Sequence, residues 1–231
     1  MQVKAGVRQA LAMTLYKYTS TRYLDSFLDG SIRFQPLTYF QQYEQNAAIG
    51  DPYEGRRVST PPDGLLVHNQ TTNERFRLPV SFLSSARAGE IFVSCFSVNY
   101  SEETALSLGY DCCVVIRNGS ELARRLRRAV AREQPPSVLQ HQEVAYYDHA
   151  DPAGVDWALP TSMVFSKGAQ YADQREYRFA FGPSQVWQPY AADQVLTNAE
   201  PVASADKPAP VRTLEIGSIR SLVKVHNFRA A

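Results

Sequence analysis

Charge of one sign, paired cysteines and long apolar runs are all scarce in this chain. Its 24 basic and 23 acidic side chains leave a formal net charge of +1. No overall field therefore holds nucleic acid or an anionic membrane, and a polyanion site has to come from a local cluster. Cys95, Cys112 and Cys113 are odd in number and contain no Cys-x-x-Cys pair, which argues against a secreted disulfide scaffold. The apolar run from Cys112 to Ile116 suits buried, inert thiols. His68, His141, His149 and His226 are scattered without ligand spacing, so no metal is expected. No stretch reaches the ~20 apolar residues of a spanning helix, and Lys4 and Arg8 precede no continuous apolar segment of a leader. The expectation is no membrane and a reducing cytoplasm, the producer's or a host's. What remains is ordinary for a globular protein: 44% hydrophobic, 11% aromatic and 20% charged residues over 231 positions, enough for one domain with a sizeable core.

Hydrophobic periodicity and turn chemistry give a coarse map. Residues 3–13 read as a short helix and Leu15-Tyr16-Lys17-Tyr18 as a strand. Ser20 or Thr21 can cap a helix whose Leu24, Phe27 and Leu28 share a face, and Gly30 supplies its left-handed end. Ile32-Arg33-Phe34 returns as a strand stopped by Pro36. Residues 41–78 are polar and rich in Gly, Pro, Asn and Asp, and read as a long loop excursion over one face. Residues 91–97 form a buried strand. Asn118 or Ser120 starts a helix to about Arg132, with Leu122, Leu126, Ala129 and Val130 as its buried stripe. Its other face carries Arg124, Arg125, Arg127, Arg128 and Arg132, a set that can meet phosphates and equally suits a solvated surface. Further strands are expected at 143–147, 162–166, 213–216 and 221–225, with a Pro/Ala-rich connection at 200–210. The predicted fold class is α+β, with strand-rich mixed or antiparallel sheets and a few short helices.

The most informative stretch runs from Lys167 to Phe181. From Tyr177 onward apolar residues alternate with Arg178 and Ala180, the period-two pattern of a half-buried strand. Glu176 is then expected at a strand edge beside a cleft, and Arg178 on the face away from Tyr177, Phe179 and Phe181. As an exposed ion pair, Glu176 and Arg178 would contribute only about 0–1 kcal/mol.

Leu15-Tyr16-Lys17-Tyr18, Asp51-Pro52-Tyr53-Glu54-Gly55, Cys95-Phe96-Ser97 and Glu176-Tyr177-Arg178 resemble, in this order, the motifs of a widespread bacterial family known as a domain of unknown function. The resemblance spans residues 15–181. The interval Thr38–Gly50 is longer here than in that family. More distantly, the order is similar to that of ADP-ribosyltransferase-like domains. These carry a polar residue on a first strand, a Ser or Tyr on a middle strand and a late Glu, on a split sheet. That likeness implies Tyr18 or Arg33, then Ser94 or Ser97, then Glu176 with Gln174 in a Gln-x-Glu pair.

The chemistry implied is cleavage of NAD at the nicotinamide–ribose bond. Positive charge develops on the ribose, and Glu176 would stabilise it. Gln174, sharing the strand face of Glu176, would aim at the acceptor. Ser94 would bond the ribose or hold Glu176, Tyr18 would meet the dinucleotide, and Arg33, Thr19 and Ser97 would contact the cofactor. The acceptor would be a macromolecule, protein or nucleic acid, and the role that of a toxin, effector or phage-defence component. Two alternatives stand beside this one. One is a non-enzymatic interaction module lined by the chain's 13 Tyr and 11 Phe; the other is a nucleic-acid-binding protein using the arginine helix.

Overall fold

The chain folds as an α+β, strand-rich structure, and the computed structural model describes residues 13–43, 48–189, 193–198 and 209–228. The expected helix over 3–13 and most of the 200–210 connection lie outside the described residues. The chain opens with β1 (Leu15–Thr19), α1 (Thr21–Leu28), β2 (Ser31–Pro36) and the short α2 (Leu37–Gln41). Gly30 ends the first helix at φ +99°, a left-handed turn that brings its backbone hard against Gly217. A Cβ there would lie 2.2 Å from the Gly217 carbonyl oxygen, so glycine is required for both conformation and space.

The excursion predicted as loop carries three short strands between its turns. They are β3 (Arg56–Ser59), β4 (Leu65–His68) and β5 (Arg75–Leu78), and β6 (Ser81–Ser85) follows it. Its Pro-Asp-Gly and Asn-rich clusters are turns between short strands: β4 pairs with β5 as a hairpin, and β3 pairs with β6. Residues 44–47 of the excursion lie outside the described ones.

The remainder comprises β7 (Phe92–Ser97), α3 (Glu102–Ser107), β8 (Cys112–Ile116), α4 (Gly119–Val130), β9 (Ser137–Glu143), β10 (Ala145–Tyr147), α5 (Pro160–Val164), β11 (Ser166–Gly168), β12 (Glu176–Pro183), β13 (Asp193–Thr197), β14 (Arg212–Glu215) and β15 (Val223–Asn227). Asn118 caps α4 by accepting a hydrogen bond from the Glu121 amide. The predicted strand at 162–166 is corrected to α5 followed by β11; Pro160 sits in the first helical turn, where its missing N–H costs nothing.

The main sheet holds eight strands. One path runs β14-β2-β7-β1-β8-β15, and β12 and β9 attach beside β7. Strand β12 pairs with β7 along the whole of Phe92–Ser97, which uses up one edge of β7. The other edge is shared. Gln35 and Pro36 of β2 pair opposite Val93 and Phe92, whereas Tyr16 of β1 pairs opposite Ser97. Between those contacts β1 and β2 diverge, so Ser94, Cys95 and Phe96 have no strand partner on that side. The sheet is therefore split over the middle of β7.

Both faces of the central strands are buried. Tyr177, Phe179 and Phe181 of β12 join Leu15, Phe34, Phe96, Leu122 and Leu126 in one core. Ala180, Val93, Val164, Phe165 and Val186 form a second on the opposite face. This corrects the half-buried reading of β12: all but its last residue are buried. The sequence pattern alternates because one face is apolar and the other carries a buried charge cluster.

Candidate functional site

Arg178 lies on the β12 face opposite Phe179 and is 1% exposed. It is one of the largest side chains in the protein to be fully enclosed, and its charge is neutralised there. Nε donates to Glu176 Oε1, Nη1 to Glu54 Oε1 and to the Val164 carbonyl at 2.7 Å, and Nη2 to Glu54 Oε2 at 2.9 Å and Glu176 Oε2 at 3.2 Å. The planar guanidinium has five N–H donors in a fixed fork, and all five are used. The expectation of an exposed pair at a strand edge is thus overturned: Glu176 and Glu54 are 5% and 1% exposed.

Lys167 completes the cluster. Its Nζ donates to Gln174 Oε1 at 2.9 Å and lies 3.5 Å from Glu176 Oε2. Burial pushes the Glu176 carboxyl up, but Arg178 and Lys167 outweigh it and hold it down at about 2. At Glu54 burial wins over Arg178 and the shift is upward. Asp51 is likewise raised by burial, although the Tyr53 amide donates to its Oδ1 at 2.9 Å. Glu54 and Lys167 stood in the motifs quoted above with no role attached. Their signal was the Asp-Pro-Tyr-Glu-Gly turn and the Lys167-to-Glu176 interval, and only the packing of the excursion against β12 and α5 joins them.

A small cavity of about 90 Å³ reaches this cluster, with Glu176, Lys167, Gln174, Tyr18, Tyr110 and Lys17 in its wall. Against it lies a cleft of about 980 Å³ between β1 and β2, lined by Arg33, Tyr23, Tyr39, Tyr43, Ser94 and again Lys17, Tyr18 and Tyr110. The two share a wall because both open onto the unpaired edge of β7. Its volume is that of a ligand site for a drug-sized or nucleotide-sized molecule.

The predicted site residues fare differently. Ser94 lines the cleft, is 3% exposed, and its Oγ has no hydrogen-bond partner among the described residues. It pairs in register with Phe179, so its side chain shares the face of Phe179. Glu176, opposite Ser97, lies on the other face. Ser94 therefore does not hold Glu176 in place. Arg33 is exposed in the cleft wall and belongs to none of the ion pairs among the described residues. Thr19 is buried in the same wall, and its carbonyl accepts from the Cys112 thiol at 3.2 Å. The Tyr18 hydroxyl is committed to structure: it donates to the Asn99 carbonyl at 2.7 Å and accepts from the Ser101 amide at 2.7 Å. Ser97 Oγ donates towards the Gln174 and Arg175 carbonyls at 3.0 and 3.2 Å and accepts from the Asn99 amide.

Gln174 and Glu176 are not successive same-face residues of one strand. Gln174 ends a 3₁₀ helix, and Arg175 between them is left-handed, at φ 43° and ψ 51°. That conformation costs a non-glycine residue about 1–2 kcal/mol. It turns the chain so that Gln174 Oε1 meets Lys167 while Nε2 donates to the Ala48 carbonyl at 2.6 Å. Both residues still border the small cavity, by way of a turn and not of strand periodicity.

Elsewhere, Arg124 and Arg125 of α4 are bonded to Glu121, and Arg125 also reaches the Ser218 carbonyl at 2.7 Å. Two of the five arginines on that face thus share a single carboxylate. Among the described residues no group of three His, Cys, Asp or Glu can hold a metal ion, and no helix is long and apolar enough to cross a membrane. No family model matches the chain, and no curated protein or solved structure matches it either.

Proposed function

We propose that the β1/β2 cleft binds a dinucleotide of the NAD class and that the chain transfers ADP-ribose to a macromolecular acceptor. The observation that carries this reading is the split of the sheet over β7. It opens a nucleotide-sized cleft with a buried Ser94 hydroxyl that has no partner among the described residues, and the small cavity sharing a wall with that cleft is lined by an anionic Glu176. Arg33 suits the pyrophosphate, since a guanidinium fork matches two phosphate oxygens. Tyr39, Tyr43 and Tyr110 offer faces for the base and the nicotinamide ring. Ser94 donates to a ribose hydroxyl. Glu176, kept ionised by Arg178 and Lys167, opposes the positive charge that grows on the ribose as nicotinamide leaves. In this reading Tyr18, Ser97 and Gln174 brace the wall and contact no cofactor.

The test is incubation with labelled NAD and cell lysate, reading nicotinamide release and label transfer separately. Glu176→Gln is expected to abolish both. Because Glu176 is buried against Arg178, that variant also loses some stability, so Ser94→Ala is the companion. It removes a hydroxyl with no protein partner, leaves the melting temperature unchanged and weakens NAD binding by about tenfold, the value of one lost hydrogen bond of ~1.4 kcal/mol. Absence of nicotinamide release together with absence of an NAD-dependent melting shift in the wild type overturns the proposal and leaves the cleft as an aromatic interaction groove.

A further inference from the structure

Lys17 occupies a position that neither the charge cluster nor the dinucleotide reading uses. Its side chain crosses the gap left by the split sheet, where the edge of β7 lacks a strand. Nζ donates to the Cys95 carbonyl at 2.8 Å and lies 5.0 Å from the centre of the Phe96 ring. It stands in the wall of both the small cavity and the cleft. Glu176, the acidic group that acts on it, is already engaged by Lys167 and Arg178, and Lys17 enters none of the ion pairs among the described residues.

We propose that Lys17 is an imine-forming amine, and that the cleft takes a small aldehyde or ketone bearing a phosphate group. The amine lone pair attacks the carbonyl carbon, the nitrogen proton passes to the oxygen, and loss of one water leaves a C=N bond. No oxidant or reductant takes part. A lysine on a flexible stem serves this chemistry when its environment favours the neutral amine. Burial does so here, lowering the Lys17 pKa against the attraction of Glu176. Arg33 and Arg22 line the same cleft and supply the phosphate contacts. Among the described residues the other lysines lack this setting: Lys167 is tied to Gln174 and Glu176, and Lys224 is exposed on β15. The inference shares the cleft and Arg33 with the dinucleotide reading but neither its ligand nor its chemistry, so it survives if NAD does not bind.

Pyridoxal 5′-phosphate tests both halves, because it carries an aldehyde and a phosphate. The full chain is incubated with it, the imine is reduced with borohydride, and the label is located by peptide mass spectrometry among the five lysines. Lys17 is expected to label several-fold faster than Lys224, because its buried amine is kept neutral beside a phosphate-binding arginine. Pyridoxal without the phosphate, added inorganic phosphate and Arg33→Ala should each erase most of that preference. Lys17→Arg keeps an N–H donor at the Cys95 carbonyl, and thus the fold, and should lose the imine absorbance. Equal labelling of Lys17 and Lys224, labelling of Lys17 only after denaturation, or full imine absorbance in folded Lys17→Arg would each overturn the proposal. A Lys17 preference indifferent to phosphate and to Arg33 overturns the phosphate half of it.

Discussion

Replacing Arg178 by Met is the most severe single perturbation the fold invites. The methionine fills much of the volume but donates no hydrogen bond. Five bonds disappear at once, four to carboxylate oxygens and one to the Val164 carbonyl. Two carboxylates that are 1% and 5% exposed then face each other with Lys167 as the remaining ion-pair partner of Glu176 among the described residues. Removing one partner of a buried ion pair costs about 3–5 kcal/mol, because the remaining charge is stranded away from water. In a chain of this length that is a fall in Tm of ~6–20 °C. The cost is also pH-dependent. Without Arg178 both carboxyls take a proton more readily in the folded state than in the unfolded chain, so the penalty is complete at neutral pH and fades towards the ordinary carboxylate range near 4.3. Urea unfolding of wild type and variant at pH 7 and pH 4.5 gives both numbers. A loss under about 1 kcal/mol at pH 7, or one that does not shrink on acidification, would refute the claim that this cluster is buried and electrostatically coupled.

Other outcomes follow from the same geometry. The folded-state pKa of Glu176, at about 2, lies below its unfolded value. Its contribution is therefore whole above pH ~4.3 and lost as pH falls towards 2, and the stability gap between wild type and Glu176→Gln should close over that interval in an acid titration followed by circular dichroism. Tyr18→Phe leaves the Asn99 carbonyl and the Ser101 amide without their shared hydroxyl and should cost about 1–2 kcal/mol in denaturant unfolding. Gly30→Ala forces a methyl against the Gly217 backbone at a left-handed φ and should lower stability by at least ~1–2 kcal/mol, where an ordinary surface Gly→Ala change is neutral or stabilising.

Much of the fold was legible in the residues. The opening strand, helix and strand, the Gly30 turn, the buried strand ending at Ser97 and the Asn118-capped helix stand where local periodicity put them, although Ser20 makes no side-chain cap and the Thr21 amide donates to Asp111 instead. The excursion was misread because its strands are only four residues long and separated by dense turn chemistry, so the turns dominate the pattern. At 162–166, Pro160 at a helix start outweighed the apolar run.

The site divides along the same line. Sequence singled out Glu176, Ser94 and Arg33, and it quoted Glu54, Lys167 and Lys17 inside motifs without giving them work. Whether Glu176 and Arg178 met water was beyond its reach. Strand alternation says which residues share a face and nothing about what covers that face, and here the cover comes from the nearby α5 and from Glu54, 124 residues away in sequence. The split over β7, which makes the cleft, likewise arises from where β1 and β2 bond to a third strand. What the sequence by itself determined was the local elements and the residue types with chemistry to offer. Only the tertiary structure decided which of them are buried together and which line an opening, because burial and charge pairing depend on contacts between segments more than a hundred residues apart.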